Sequence, residues 1–477
     1  MQLLRFLLLG SQSAAIAAAA AIDLAARSVA SDLQSLAPAS SVAVQLRERW
    51  SEVDAPVATV VFNATSEEDI SATVKYCVQK KIPFVAQNGG NGWATGQFNL
   101  GSTGVLINLA GLNQVSVSAD KKTATIGGGA IISDVITAAD AAGVLVQTGN
   151  CNCVGALGAS LGGGYGNLVG EHGLAVDNIL ELRVVTATGE ALTASSTTNP
   201  DLFWALRGAG PNFGIVTSAK VNAFPTDDRT ALIVNFTFDS AKIAAVAQAV
   251  QDLALLPQQV VYMILSNSAD GTNTPTVVIT GFLRGGTVES GRTAYASLYD
   301  LGPLTNSSAV TPYQGWNAAN DPFCTRGGRK PAFSTTIDNM NSQNWPQIWD
   351  LYKGFQAQPG AQNSAMLIER YNLTAAQAVP AGSTAFAEEK RHEAFAQAIV
   401  IPWYEDAALD AQAEAFGAQV RDIWKFSPSA VSNPTYINFA HGDEELQAIY
   451  GSALDRLRTL KQQYDPSGVF NQWFPIK

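Results

Sequence analysis

Seven of the eighteen residues from Gly149 to Gly166 are glycine, in the run GNCNCVGALGASLGGGYG. A packed helix or strand does not carry that load, because each interior glycine costs stability through lost backbone freedom. Glycine at this density turns successive backbone N–H groups toward a ligand lying against the chain, and such a nest favours phosphate oxygens. The chemistry implied is a nucleotide or dinucleotide on a glycine loop. Two thiols, Cys151 and Cys153, stand at its mouth. No metal is expected there: the chain has four cysteines and three histidines, and no histidine stands in zinc-ligand spacing to the pair.

Other motifs fit less well. The dinucleotide fingerprint GxGxxG fails in every register of this loop; from Gly162 the sixth position is Asn167. No glycine precedes a lysine, so a P-loop is absent. Gly158-Ala159-Ser160-Leu161-Gly162 matches the GxSxG elbow of serine hydrolases, which makes a hydrolase acting through Ser160 a weak alternative. That elbow needs a strand immediately before it, and no β-branched run leads into Ser160.

The elements that must hold the loop can be read on either side. A helical lead-in is expected over Asp23 to Arg49, and a strand over Val57 to Phe62. Ser66 caps a helix, with Asp69 as capping-box partner and Ile70, Val74, Cys77 and Val78 as its apolar stripe, which makes Cys77 a core thiol. A strand over Ile82 to Val85 leads into a second glycine loop, QNGGNGW, Gln87 to Trp93, at a strand's carboxyl end where ligands bind. Short strands follow over Val105–Leu109, Val115–Ser118 and Thr123–Ile126, then a helix over Ile131–Ala142. Beyond the long loop come a hairpin around Thr188-Gly189, a helix over Asp201–Arg207, a third glycine turn from Gly208 to Gly214 and a strand over Ile215–Val221.

With 477 residues, 47% hydrophobic and 14% charged, the chain is long enough for two to three domains. A net charge of −11 makes nucleic acid and anionic membranes poor partners. Arg5, the apolar run from Leu3 to Leu9 and the alanines from Ala14 to Ala21 read as a secretory signal over residues 1–21, so a secreted protein with no membrane association after signal removal is expected. Sequons at Asn63, Asn235, Asn306 and Asn372 agree with that.

The ordered motifs QNGGNGW, GNCNCVG…LGGGYG…GL…DN and NPDLFWALRGAGPNFGIVTS resemble the PCMH-type FAD-binding domain of the vanillyl-alcohol-oxidase superfamily, within it the berberine-bridge-enzyme-like flavoprotein oxidases, especially secreted fungal ones. The resemblance runs from Pro56 to Pro225 and resumes with Tyr436-Ile437-Asn438-Phe439 and the segment from Tyr450 to Phe470. It implies an α+β fold: an N-terminal lead-in over 22–55, an FAD-binding domain over 56–226, a substrate domain over 227–430 with a sheet backed by helices, and a C-terminal segment, 431–477, returning to the first domain. The middle agrees: Leu232 to Phe238 alternates as a half-buried strand, helices are expected over Ala241–Leu255, Trp345–Phe355 and Ala407–Trp424, and strands over Val277–Leu283, Ala365–Tyr371 and Phe395–Ile401.

The resemblance also implies the site. FAD is expected on Asn88, Gly89, Gly90, Asn91, Gly92 and Trp93, and on Gly149, Cys151, Val154, Gly155, Gly158, Gly162, Gly163, Gly164, Tyr165 and Gly166. Asp177, Asn178, Gly214, Ile215, Val216 and Asn438 complete the expected cofactor contacts. Family members often attach the flavin through a histidine and a cysteine; Cys151 stands at the cysteine position, Cys153 is extra, and Asn91 stands where the histidine would be, so no histidyl link is expected. Tyr436 matches a tyrosine that serves some members as base. The activity implied is oxidation of a small alcohol, sugar or secondary metabolite by proton abstraction and hydride transfer to flavin, with molecular oxygen as second substrate and a monomeric protein. A non-redox cyclase that retains FAD is the alternative. The cluster Glu388, Arg391, His392 reads as a solvated turn, or as a charged group facing substrate.

Overall fold

The computed structural model describes residues 25–43, 48–56, 60–98, 100–101, 104–268, 272–425 and 434–477. The expected signal segment lies outside them. The helix begun by Ser66 spans Glu67–Lys80, and the Ser66 hydroxyl accepts from the Asp69 N–H at 3.2 Å. The Asp69 carboxylate does not close the capping box: it accepts from the Thr65 N–H and hydroxyl and from the Ser40 hydroxyl. Among the described residues, the lead-in is helical over 25–36 and then forms the strand Ser41–Ala43.

That strand edges a four-stranded sheet ordered Ser41–Ala43, Val60–Asn63, Val105–Asn108, Phe84–Gln87, its last three strands parallel. The two glycine loops leave from different places. One follows Phe84–Gln87; the other follows the two-residue strand Val144–Leu145. A five-stranded antiparallel sheet lies beside the first, ordered Val115–Val117, Thr123–Gly127, Ile215–Asn222, Ile179–Val185, Ala191–Ser195.

The third sheet is antiparallel and seven-stranded: Thr305–Pro312, Thr230–Phe238, Pro275–Arg284, Gln259–Asn267, Ala365–Tyr371, Ala396–Ile401, Phe333–Ile337. Successive strand residues point to opposite faces. Val261, Met263, Met366, Ile368, Ala398 and Val400 therefore share one face, in a core with the helices Ile243–Asp252, Trp345–Gln356 and Asp410–Lys425. Tyr262, Ile264, Leu367, Glu369, Ile399 and Ile401 take the other face, toward the glycine loops. Three of these strands escape the sequence reading: Gln259–Asn267, Thr305–Pro312 and Phe333–Ile337. The architecture is the expected α+β fold.

The C-terminal residues pack back on the first half of the chain. Ile449, Tyr450, Leu457 and Phe474 share a core with Leu157, Leu206 and Phe213. Lys461 is buried there, donating to Asp465 and to the carbonyls of Asn212 and Phe470 at 2.7–2.8 Å. Among the described residues no helix is long and apolar enough to cross a membrane.

Candidate active site

A cavity of about 410 Å³ lies between the glycine loops and the inner face of the seven-stranded sheet. The first loop brings Asn88, Gly89, Gly90, Asn91, Gly92 and Trp93 to its wall, and the second brings Gly149, Cys151, Val154, Gly155, Gly158, Gly162, Gly164 and Tyr165. Gly214, Ile215 and Val216 come from the third turn and its strand, and Tyr436 and Asn438 from the C-terminal segment. Four residues expected at the cofactor stand elsewhere. Gly163 and Gly166 are outside the wall. Asp177 pairs with Arg391 at 2.6 and 2.8 Å, both side chains buried. Asn178 donates to the His172 and Leu174 carbonyls and accepts from Asn222. Arg391 is thus neither in a solvated turn nor at the substrate; it locks the roof to the floor from behind.

Two glycines are dictated by close approach. A side chain on Gly89 would meet the Gly155 nitrogen at 2.6 Å, and one on Gly162 would meet Asn438 Oδ1 at 2.1 Å. Ser160 is on the short helix Ala156–Leu161, where its hydroxyl donates to the Ala156 carbonyl at 2.8 Å. It follows no strand, and His172 and His441 are stacked on Phe224 and Phe333. The hydrolase alternative therefore falls.

Tyr436 closes one end. Its hydroxyl oxygen accepts from the Gly164 N–H at 2.9 Å and from Asn438 Nδ2 at 2.6 Å, and Asn438 also donates to the Ala159 carbonyl. Burial pushes the phenol up to about 12 even though both donors pull it down. Tyr165 stands edge-on to Tyr436 and stacks on Tyr371.

Sequence reasoning missed Glu369. It is buried in the roof beside these rings, accepts from the Tyr371 hydroxyl at 2.8 Å, and burial pushes its carboxyl up to about 7. Asn150 donates to the same Tyr371 hydroxyl at 2.8 Å. A second omission is the segment 317–330, which straps both glycine loops. Asn317 donates to the Gly149 carbonyl, Asn320 to the Asn150 carbonyl and Arg326 to the Gly89 carbonyl. Lys330, fully buried, donates to the carbonyls of Trp50, Thr325 and Gly327.

The strap is also covalently tied, because Cys324 is disulfide-bonded to Cys153. Cys153, extra in the sequence reading, therefore has a partner. Cys151 is free, with its sulfur 3.5 Å from Cys324 Sγ and 3.7 Å from Cys153 Sγ, and burial pushes its thiol up to about 11. With its amide turned over, so that the oxygen no longer faces only acceptors, Asn91 would donate to the carbonyls of Cys153 and Gly89 at 3.3 and 3.1 Å.

The wall suits a large, planar ligand rich in acceptors. Buried Gln87 Nε2 and Trp93 Nε1 have no protein partner, and a side chain on Gly158 would meet nothing within 4 Å. Donors and glycine faces of this kind fit a flavin and its pyrophosphate.

Comparison with known proteins agrees. Residues 58–195 match the FAD binding domain family, and residues 435–477 match the berberine and berberine-like family. The chain is 31% identical over 453 residues to an FAD-linked oxidoreductase of Neurospora crassa, covering 92% of this chain and 88% of that one. It is 33% identical over 434 residues to an FAD-linked oxidoreductase of Pyricularia oryzae, covering 89% and 85%. Among solved structures, a berberine-bridge-enzyme-like protein of Physcomitrella patens superposes with a TM-score of 0.80 at 21% identity over 94% of this chain and 99% of that one. A carbohydrate oxidase of Microdochium nivale gives 0.78 at 20% over 93% and 99%. Fold, glycine-walled cavity and relatives together define an FAD-dependent oxidoreductase. Within that class, the chain belongs to the berberine-bridge-enzyme-like FAD-linked oxidoreductases.

Proposed function

We propose that the protein oxidises a small-molecule alcohol, with Glu369 taking the hydroxyl proton and Tyr436 orienting the substrate oxygen. The observation that carries this is a single buried carboxyl in the roof, held near neutrality at about 7 and lining the same cavity as Tyr436. A base works best with a pKa close to the working pH, which favours Glu369 over a phenol at about 12. The residues of the two glycine loops, with Gly214, Ile215, Val216 and Asn438, would hold FAD; Gly163, Gly166, Asp177 and Asn178 support that wall from behind. Bound FAD supplies a two-electron acceptor, restored by molecular oxygen. Cys151, the one free thiol in the wall, is the residue that would hold FAD covalently, and the Asn91 amide has no comparable nucleophile.

The proposed division is 56–226 for cofactor, 227–430 for substrate and 431–477 closing the first. We read residues 1–21 as a signal and the protein as a secreted, glycosylated monomer. Asn306, exposed on the edge strand Thr305–Pro312, is the sequon free to carry a glycan. Asn63, Asn235 and Asn372 are half-buried and hydrogen-bonded to Ser41, Thr280 and Leu255. Anaerobic mixing with an alcohol panel should bleach the visible flavin band, and aerobic turnover should release hydrogen peroxide. Protein that stays colourless after incubation with FAD would sink the reading. Loss of mass on endoglycosidase treatment of secreted wild type, but not of N306Q, tests the glycan.

A further inference from the structure

The cavity roof is graded from polar to apolar along two paired strands. Glu369 faces Gln397, the next inward pair is Leu367 and Ile399, and the one after that is Ala365 and Ile401. Inward pairs are two residues apart, so the first apolar pair lies about 7 Å from the Glu369 pair and the second about 14 Å.

We infer that the substrate is an uncharged alcohol carrying its one reacting hydroxyl on a rigid apolar body, a fused aromatic or polycyclic ring system, and not a sugar. This rests on the oxidoreductase reading above and names the substrate class of that same site. The polar pole is small. Glu369 accepts from Tyr371, and Gln397 accepts from the Thr336 hydroxyl at 3.0 Å while its buried amide nitrogen stays unpaired. The apolar pole is larger. Leu367, Ile399 and Ile401 form one cluster with Trp50, against which Trp93 and Phe439 pack. Trp93 stacks on Phe439 with planes 15° apart and centroids at 5.7 Å, and it meets Trp50 at 5.2 Å.

Leu367, Ile399, Ile401, Trp50, Trp93 and Phe439 all line the cavity, so they are walls as well as core. Flat rings offer a planar hydrocarbon offset-stacking and edge contacts. A sugar in the same place would bring several hydroxyls to side chains whose only polar atoms are two indole nitrogens, that of Trp50 donating to the Phe323 carbonyl and that of Trp93 unpaired. Each hydroxyl left unpaired there weakens binding by about tenfold. An anionic body fares worse, since Arg49, the one cation among the described lining residues, is bonded to Gln87 and to the Gly92 carbonyl.

The test titrates the full-length, FAD-loaded protein with 2-naphthalenemethanol and, separately, with cellobiose. Half-saturation is read from the visible flavin spectrum, which changes whether a ligand merely binds or is also oxidised. The inference expects naphthalenemethanol to half-saturate at a concentration at least tenfold below that of cellobiose. It also expects Ile399→Asn to raise the naphthalenemethanol value about tenfold while leaving the resting flavin spectrum unchanged. A yellow protein that prefers cellobiose, separates the two by less than tenfold, or responds to neither overturns this inference alone. An Ile399→Asn variant that binds naphthalenemethanol like wild type does so as well. If that variant does not fold, the wild-type comparison decides. A chain that takes up no flavin overturns both this inference and the reading beneath it.

Discussion

Glu369 Oε2 accepts a hydrogen bond from the Tyr371 hydroxyl at 2.8 Å, the two buried side chains standing two positions apart on one strand. The bond lowers the carboxyl's pKa, but burial outweighs it and leaves the group near 7. A base of that kind is half ionised close to neutrality. The rate of flavin reduction should therefore rise with pH through about 7 in wild type. E369Q should lose that limb and reduce flavin about 10²–10⁴-fold more slowly. Anaerobic stopped-flow measurements across pH check both.

The same group sets a pH dependence of stability. An unfolded Glu369 titrates near 4.5 and the folded one near 7. Between those values the folded chain keeps a proton that the unfolded chain has released. Stability from this group is thus full below about 4.5, falls as pH rises to about 7, and is then constant. The interval corresponds to about 3 kcal/mol. E369Q cannot ionise, so its stability relative to wild type should improve by up to about that amount across the interval. Denaturant unfolding of both proteins in this pH range gives the difference directly.

Tyr436→Phe removes an acceptor used by two donors, the Gly164 N–H and the Asn438 amide. Leaving buried donors unpaired costs about 1–3 kcal/mol. Flavin reduction should slow by about 10–100-fold, less than in E369Q, while the limb near 7 persists and flavin affinity changes by less than about threefold. If Y436F abolishes the limb and E369Q keeps it, the base is Tyr436.

How much of this was legible depends on the range of the signal. The glycine loops announce themselves because no ordinary element tolerates that composition, and Gly89 and Gly162 are glycine for reasons the structure makes steric. The strand Ala365–Tyr371 was legible too, but the importance of Glu369 was not. A lone carboxylate in a strand reads as a solvent-facing position. Here the neighbouring apolar residues occupy both faces, Met366 and Ile368 toward the helices and Leu367 toward the cavity. A charge inside such a doubly buried run was the available clue. Cys324 offered none, because its partner is 171 residues away and only the fold of the roof brings them together.

Asp177 shows the opposite failure, since it sits inside the motif yet faces away from the cavity. Its partner Arg391 has a fully buried side chain, at 0% exposure. Asp177→Asn would leave that charge buried without its counterion, which costs about 3–5 kcal/mol. Affinity for FAD should stay within about threefold of wild type where the variant is folded. Arg391→Met in the Asp177→Asn background should recover part of the loss, because it removes the stranded charge. Unfolding midpoints and flavin titrations of the single and double variants check both statements.

Cys153–Cys324 ties the strap 317–330 to the second glycine loop, and Cys151 Sγ lies 3.5 Å from Cys324 Sγ. Closing a loop of this length stabilises by up to about 5 kcal/mol through the entropy it removes from the unfolded chain. Cys324→Ser should forfeit that, because the strap then carries no thiol: Cys151 and Cys153 lie on the same glycine loop, and Cys77 is buried in the core around the helix Glu67–Lys80. Cys153→Ser should behave differently. It leaves Cys151 as a free thiol already in contact with Cys324, so air oxidation should join those two and hold the strap at nearly the same place. C153S should therefore keep one disulfide and most of the wild-type stability, whereas C151S/C153S should resemble C324S. Non-reducing peptide maps identify the linkage, and unfolding midpoints with and without reductant give its value. A C153S protein with two free thiols after oxidation would show that Cys151 is held away from Cys324 by more than a rotamer change. Flavin found on Cys151 in that variant would show that the cofactor claims the thiol first.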